Sequence, residues 1–310
     1  MIHSSEVRGR NKRWNRAQRF LCAPKVVPYV FVAPFILVFL LIYLYPTIST
    51  ILMSFQRIDG PNISEFIGLK NYRKLFSRNY FMALSTTANY TLWNVLILVP
   101  VPLLFALMIH SKLLKWPNFF KSILFIPSLT SIIVAGIVFR LAFGSLDTSL
   151  ANKVLGMLGL PARSWLMNSG TGNFVLIALT LWRWLGVNIV YFYSGLQSVP
   201  QELYEAAEID GATAMQRFFS VTLPSIRPVL IYVITLCILG GFSMFTESVA
   251  LWQQNNPGGV GRTIVGYMYM MGFYKNDMGM ASAIGLTLLV LVLAANVLQL
   301  TAMGFFRKED

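Results

Sequence analysis

Acidic residues are scarce in this chain of 310 residues: 12 Asp and Glu stand against 25 Lys and Arg, and charged positions make up only 12% of the total. A soluble globular protein carries about a quarter charged residues, so a water-facing surface is excluded for most of the chain. Cysteine is nearly absent, with Cys22 and Cys237 alone, which argues against a disulfide framework. Histidine is equally rare, and neither His3 nor His110 has ligand-spaced neighbours, so the spacing gives no metal site. There is no GxxxxGK[ST] loop, and hence no ATPase site of the chain's own. The net charge of +13 is a pattern that serves nucleic acid, anionic lipid or membrane topology. Here the basic residues flank apolar runs instead of forming a stripe with aromatics, which argues against nucleic acid.

What is abundant is apolar sequence, 56% of residues with a mean hydropathy of +0.62. A bilayer core about 30 Å thick takes about 20 helical residues to cross, and six uncharged runs approach or exceed that length. They are 26–55, 79–111, 122–139, 164–182 continuing past Arg183 to 201, 228–246 and 278–306. Separate spans must be helices, because a lipid-exposed strand edge leaves backbone groups unpaired and the alternating pattern of a barrel is absent. The expected fold is an all-α integral membrane protein of six transmembrane helices. Pro46, Pro100, Pro102 and Pro127 predict kinks, since each removes a backbone donor from the helix ladder.

The first run is far longer than a signal-peptide core and reads as a retained anchor. Arg8, Arg10, Lys12, Arg13, Arg16, Arg19 and Lys25 precede it, and the positive-inside rule places them in the cytoplasm. An even number of spans returns Arg307 and Lys308 to the same side. Arg57, Lys70, Arg73, Lys74 and Arg78 then fall outside and run against the rule; the N-terminal cluster decides. Residues 1–27 are read as a basic cytoplasmic tail and 28–310 as the transmembrane domain. An amphipathic stretch at 146–158 is expected at the outer surface, and 263–274 as an interfacial or re-entrant helix.

Residues 198–227 form the one substantial inward-facing loop. Pro200 suits a helix start, and Gln201, Glu202, Glu205 and Glu208 place acceptors and negative charge near that N-terminus, where the helix dipole favours them. Gly211 ends this helix or permits a left-handed turn. A second short helix presents Met215, Phe218 and Phe219 before Leu223-Pro224, and Pro228 opens the fifth span. Pattern alone leaves this as a helical hairpin between two spans.

The run EAAEIDGA from Glu205 to Ala212, followed by FFSVTLP from Phe218 to Pro224, resembles the cytoplasmic coupling motif of binding-protein-dependent ABC importer permeases. Glu205, Ala206, Ala207, Asp210, Gly211, Leu223 and Pro224 stand at the motif's intervals, with Val221 where isoleucine is common. The segments APFILVFLLIYLYPTISTILMSF and FIGLKNYRKLF, and later PGGVGRTIVGYMYMMGFYKNDMGMASAIG, are similar to the sugar-type permeases of the maltose-transporter family, in particular the first of their permease pairs. Asn255-Asn256-Pro257 replaces the more usual glycine-glycine-proline. The resemblance implies a bacterial cytoplasmic membrane and a coupling helix between spans four and five that seats in an ATPase subunit. It also implies a second homologous permease, two ATPase subunits, an extracytoplasmic solute-binding protein and a sugar substrate. ATP and Mg would sit on the partners, with no cofactor in this chain.

A permease for another solute class shares the coupling motif but usually lacks the 66–76 signature. A sensor or scaffold has no need of an ATPase dock, and an enzyme would need intramembrane carboxylate pairs or histidine clusters. In the fourth span Trp184, Asn188, Tyr191 and Gly195 share one helical face. Aromatic rings and amides suit either sugar recognition or helix packing. Arg183 falls near mid-membrane, where it must meet a cavity or a partner; on the route, its guanidinium would favour carboxylate-bearing sugars. Glu247, about 20 residues beyond Arg227 on a continuous helix, is expected too far outward to pair with it. Phe242 and Phe245, beside Gly240 and Gly241, complete the candidate pathway residues.

Overall fold

A computed structural model describes residues 23–58, 64–111, 114–253 and 256–305. The N-terminal basic residues up to Arg19, Cys22, Asn255, Arg307 and Lys308 lie outside the described residues. Among the described residues, four helices are long and apolar enough to cross a membrane: α1 (Val27–Ser54), α3 (Arg78–His110), α7 (Ser169–Gln197) and α13 (Met278–Ala302). Two bent pairs have the same composition, α4 (Pro117–Leu129) with α5 (Ile132–Ala142), and α9 (Ala214–Ser225) with α10 (Arg227–Phe242). Shorter helices are α2 (Lys70–Leu75), α6 (Leu150–Met157), α8 (Gln201–Ile209), α11 (Thr246–Trp252) and α12 (Ile264–Tyr269).

The third apolar run is not one straight span. Its two halves meet at 94°, because Thr130 and Ser131 are both extended, with ψ of 139° and 129°. Pro127 prepares the break by removing a donor from the last turn of α4. At Pro46 the loss of a donor coincides with a π-helical turn at Phe39–Leu44 rather than a sharp kink. The all-α expectation also misses one hairpin. Strands β1 (Gln56–Ile58) and β2 (Ser64–Phe66) pair antiparallel with Gln56 opposite Phe66. Asn71 Nδ2 anchors the hairpin by donating to the Ser54 and Gln56 carbonyls at 2.9 Å each.

The interior divides into three apolar clusters. One joins α3, α7 and α10 through Leu98, Ile109, Phe192, Leu196 and Val233 at the end that carries α8 and α9. A second, at the opposite end, joins Tyr90, Val175, Leu179, Leu251 and Trp252. The third packs the segment from Thr263 onward against α3 and α13 through Tyr80, Ile264, Tyr267 and Ile284. Large apolar side chains of α1, α4 and α5 point outward, among them Phe31, Phe35, Ile126 and Leu141, as expected where lipid is the solvent.

Candidate functional site

A cavity of about 560 Å³ opens where α3, α7 and α10 meet, within the range of small-molecule sites. Each helix gives it one face: Tyr90, Asn94 and Leu98 recur every four residues on α3, and Thr180, Trp184, Asn188 and Tyr191 follow helical spacing on α7. Tyr232 of α10 meets Tyr191 edge to face at 5.3 Å, and the Tyr90 hydroxyl shares a 2.7 Å hydrogen bond with Thr180 Oγ1. Asn188 Nδ2 donates to the Leu98 carbonyl at 3.0 Å. That carbonyl lacks its helical donor because the residue four positions on is Pro102, so the amide repairs the break. Asn94 Nδ2 donates to the Cys237 carbonyl at 3.2 Å, while its buried Oδ1 has no hydrogen-bond partner among the described residues.

Of the residues sharing that helical face, Trp184, Asn188 and Tyr191 line the cavity and Gly195 does not, and Arg183 also lies outside the lining. Its Nη1 lies 3.5 Å from Glu247 Oε1, and both side chains are largely buried. Its guanidinium carbon also stands 5.5 Å from the Trp184 ring centroid, within cation–π range. The expectation that Glu247 lies too far outward assumed a continuous helix beyond Arg227. Instead α10 stops at Phe242, and the chain turns through Ser243 and Met244 before Glu247 enters the first turn of α11. That turn brings the carboxylate back into the cavity wall, level with Arg183, the fifteenth of the 29 residues of α7.

Phe242 is half-buried at the end of α10 and, among the described residues, lines neither this cavity nor the next. Phe245 faces a second cavity of about 430 Å³ with Gln253, Arg262, Tyr269 and Lys275. Its ring lies 5.2 Å from that of Tyr269. The aromatic candidates therefore separate to the two sides of α11.

At the far end, α8 and α9 meet at a turn built from local chemistry. Gly211 has φ of +75°, the left-handed conformation for which the glycine was read. Its N–H donates to the Glu208 carbonyl at 3.0 Å, and the Ala212 N–H donates to the Ala207 carbonyl at 2.9 Å, the bond pair of a Schellman stop. Immediately after it, Thr213 caps α9 in a reciprocal box with Gln216, whose Oε1 accepts from the Thr213 N–H at 2.8 Å. The sequence carries the signal for this cap as T-x-x-Q at Thr213 to Gln216. Tyr204 and Thr222 join the two helices through a 3.1 Å hydroxyl contact. Glu205, Ala206, Asp210 and Gly211 are exposed, Ala207 is half-buried, and Leu223-Pro224 follow the π turn at Phe218–Thr222. Leu203, Ile209, Met215 and Phe219 carry exposed apolar surface on this tip, Ile209 at 86%.

Long apolar helices, a polar and aromatic cavity between three of them and a rigid exposed turn at one end describe a membrane transport domain. The chain belongs to the family described as the binding-protein-dependent transport system inner membrane component, which matches residues 5–302. It is a multi-pass membrane permease subunit, not an enzyme. It is 52% identical over 285 residues to the arabinooligosaccharides transport system permease protein AraP of Bacillus subtilis (strain 168), covering 92% of this chain and 91% of that protein. The AraP protein of Halalkalibacterium halodurans is 46% identical over 304 residues, covering 98% of this chain and 96% of that protein. Among solved structures, a bacterial ABC transporter involved in import of the acidic polysaccharide alginate has a chain that superposes with a TM-score of 0.79. It has 24% identity and covers 96% of this chain and 100% of that one, a likeness of fold.

Proposed function

We propose that this chain forms half of the pathway of an ATP-driven oligosaccharide importer. A second homologous permease completes that pathway, a pair of ATPase subunits drives it, and an extracytoplasmic binding protein supplies the sugar. The observation that carries the reading is the cavity at the junction of α3, α7 and α10, where Trp184, Tyr191 and Tyr232 offer rings and Asn94 holds a buried amide oxygen with no partner among the described residues. Rings pack on the C–H faces of a sugar while amides and hydroxyls pair with its hydroxyls. The 52% identity to a protein named for arabinooligosaccharide transport supports the substrate class. In this reading each bent pair is one span and the chain crosses six times; the basic N-terminus supports an orientation with both termini and the α8–α9 turn in the cytoplasm.

Proteoliposomes holding the complete transporter, supplied with sugar-loaded binding protein, test the reading. Trp184→Ala and Tyr191→Ala should each slow uptake of labelled arabinotriose by about tenfold, the scale of one well-placed aromatic contact, with subunit assembly retained. Wild-type uptake in both variants would remove the sugar from this cavity.

A further inference from the structure

Among the described residues, Glu247 is the one charged side chain in the cavity wall, and Arg183 is not part of that wall. The guanidinium lies outside that wall, 3.5 Å from the carboxylate, with Trp184 beside it and its Nε buried without a hydrogen-bond partner among the described residues. The charge that borders the cavity is therefore the anion, and the cation that compensates it is set outside the lining. From these contacts we infer that the Arg183–Glu247 pair is a charge filter: Glu247 is the specificity-determining residue that makes the pathway one for uncharged sugars and turns away carboxylate-bearing ones. This inference rests on the sugar reading of the cavity.

Two neighbouring charges of opposite sign cancel at a distance, but a ligand inside the cavity meets the nearer one first. An uncharged oligosaccharide loses nothing against such a wall, because hydroxyls donate to a carboxylate as readily as to an amide. A uronate or aldonate brings a second anion up to Glu247 in a site of low polarity, where like charges are strongly disfavoured. It also competes with Glu247 for Arg183, which already has a fixed partner. Removing the Glu247 charge reverses this relation. The guanidinium becomes an uncompensated, partly desolvated cation at the cavity's edge, and a carboxylate is the ligand it pairs with best.

Saturation-transfer NMR on the assembled transporter in nanodiscs, without the binding protein, reads weak sugar binding directly. The probes are arabinotriose and the aldonate made by oxidising its reducing end, which adds the carboxylate and opens the terminal ring; the alditol made by reducing that end, equally open and uncharged, should bind like arabinotriose. The wild-type complex should bind arabinotriose and disfavour the aldonate by at least about tenfold, the scale of one like-charge contact. Glu247→Gln should abolish or invert that preference. The double variant Arg183→Gln/Glu247→Gln, which replaces the ion pair by two neutral amides, should bind both probes within about twofold of each other, and it decides the matter if the single variant does not assemble. A wild-type complex that binds both probes equally, or a tenfold preference that survives in the variants, overturns the filter and leaves the sugar site standing. If arabinotriose fails to bind the wild-type complex at all, the sugar reading of the cavity falls and takes this inference with it.

Discussion

Asn152, in the connector between α5 and α7, spends its whole amide on the backbone around it. Nδ2 donates to the Gly144, Leu146 and Arg163 carbonyls at 3.3, 3.1 and 3.1 Å. Oδ1 accepts from the Arg163 N–H at 3.0 Å and from Trp165 Nε1 at 2.8 Å. The residue is buried while Leu150, Val154 and Met157 of the same helix point outward, so this polar clamp, helped by Ser149 Oγ donating to the Gly144 carbonyl at 3.0 Å, holds the connector. Asn152→Ala leaves the Trp165 indole and the Arg163 N–H without their acceptor, while Ser149 still donates to the Gly144 and Leu146 carbonyls, and should cost about 2 kcal/mol locally. Amide exchange across 144–165 should then quicken by roughly thirtyfold, without loss of the cavity; unchanged exchange would show that other contacts hold the connector. No motif announces Asn152, because its partners lie up to 13 residues away. Gly211 was legible, since only a backbone stop in the left-handed region needs that residue. Arg183 was legible as a residue needing a partner, but the partner's place depended on a helix end that the apolar run does not mark.

Helices approach one another most closely where a side chain is missing. A Cβ on Gly186 of α7 would lie 2.0 Å from the Leu124 carbonyl oxygen and 2.7 Å from Phe125 Cα, so α4 packs its backbone directly on α7. The same device appears where Gly241 meets Thr91 and where Gly136 meets Ala250, small-residue contacts of the kind that take the place of hydrophobic pressure between membrane helices. Gly186→Val must push α4 away, because the obstacle is backbone and cannot rotate aside. An overpacking cost of about 3 kcal/mol is expected, read as a lower unfolding midpoint of the solubilised complex. A midpoint equal to wild type would mean that α4 has another resting place. The long helices were legible from apolar length alone, and Pro127 marked a kink in the third run, but neither the 94° size of the bend nor its place at Thr130-Ser131 was marked. Two short apolar helices and one spanning helix have the same composition, and the extended pair Thr130-Ser131 that separates them carries neither glycine nor proline, the stronger breakers.

Across the whole molecule, the cavity and the α8–α9 turn lie on one continuous path. Helix α7 runs from the cavity wall at Thr180 to Gln197, α8 begins at Gln201, and α9 returns through Ile226 into α10, which supplies the opposite wall. A displacement of the turn is therefore delivered to both walls at once, provided that the turn itself is stiff. Its stiffness comes from the Schellman stop at Gly211, the capping box of Thr213 and the Tyr204–Thr222 contact. The exposed Arg217–Glu208 pair, with Glu208 72% exposed, adds little. Gly211→Asp should deform this turn without meeting any neighbour, since nothing lies within 4 Å of the position. The cost is conformational, roughly 1 to 2 kcal/mol for a side chain held in the left-handed region. The apolar spans are untouched, so insertion should survive. Inverted membrane vesicles carrying both permeases should capture added ATPase subunits, and right-side-out vesicles should not, if the turn faces the cytoplasm. In inverted vesicles the Gly211→Asp permease should either lose that capture or keep it without sugar-stimulated ATP hydrolysis in the reconstituted complex, and Glu205→Ala should weaken capture alone. Capture by right-side-out vesicles would reverse the orientation. Normal capture and normal stimulation in both variants would move the coupling away from this turn, since no other part of the permease would then depend on its angle.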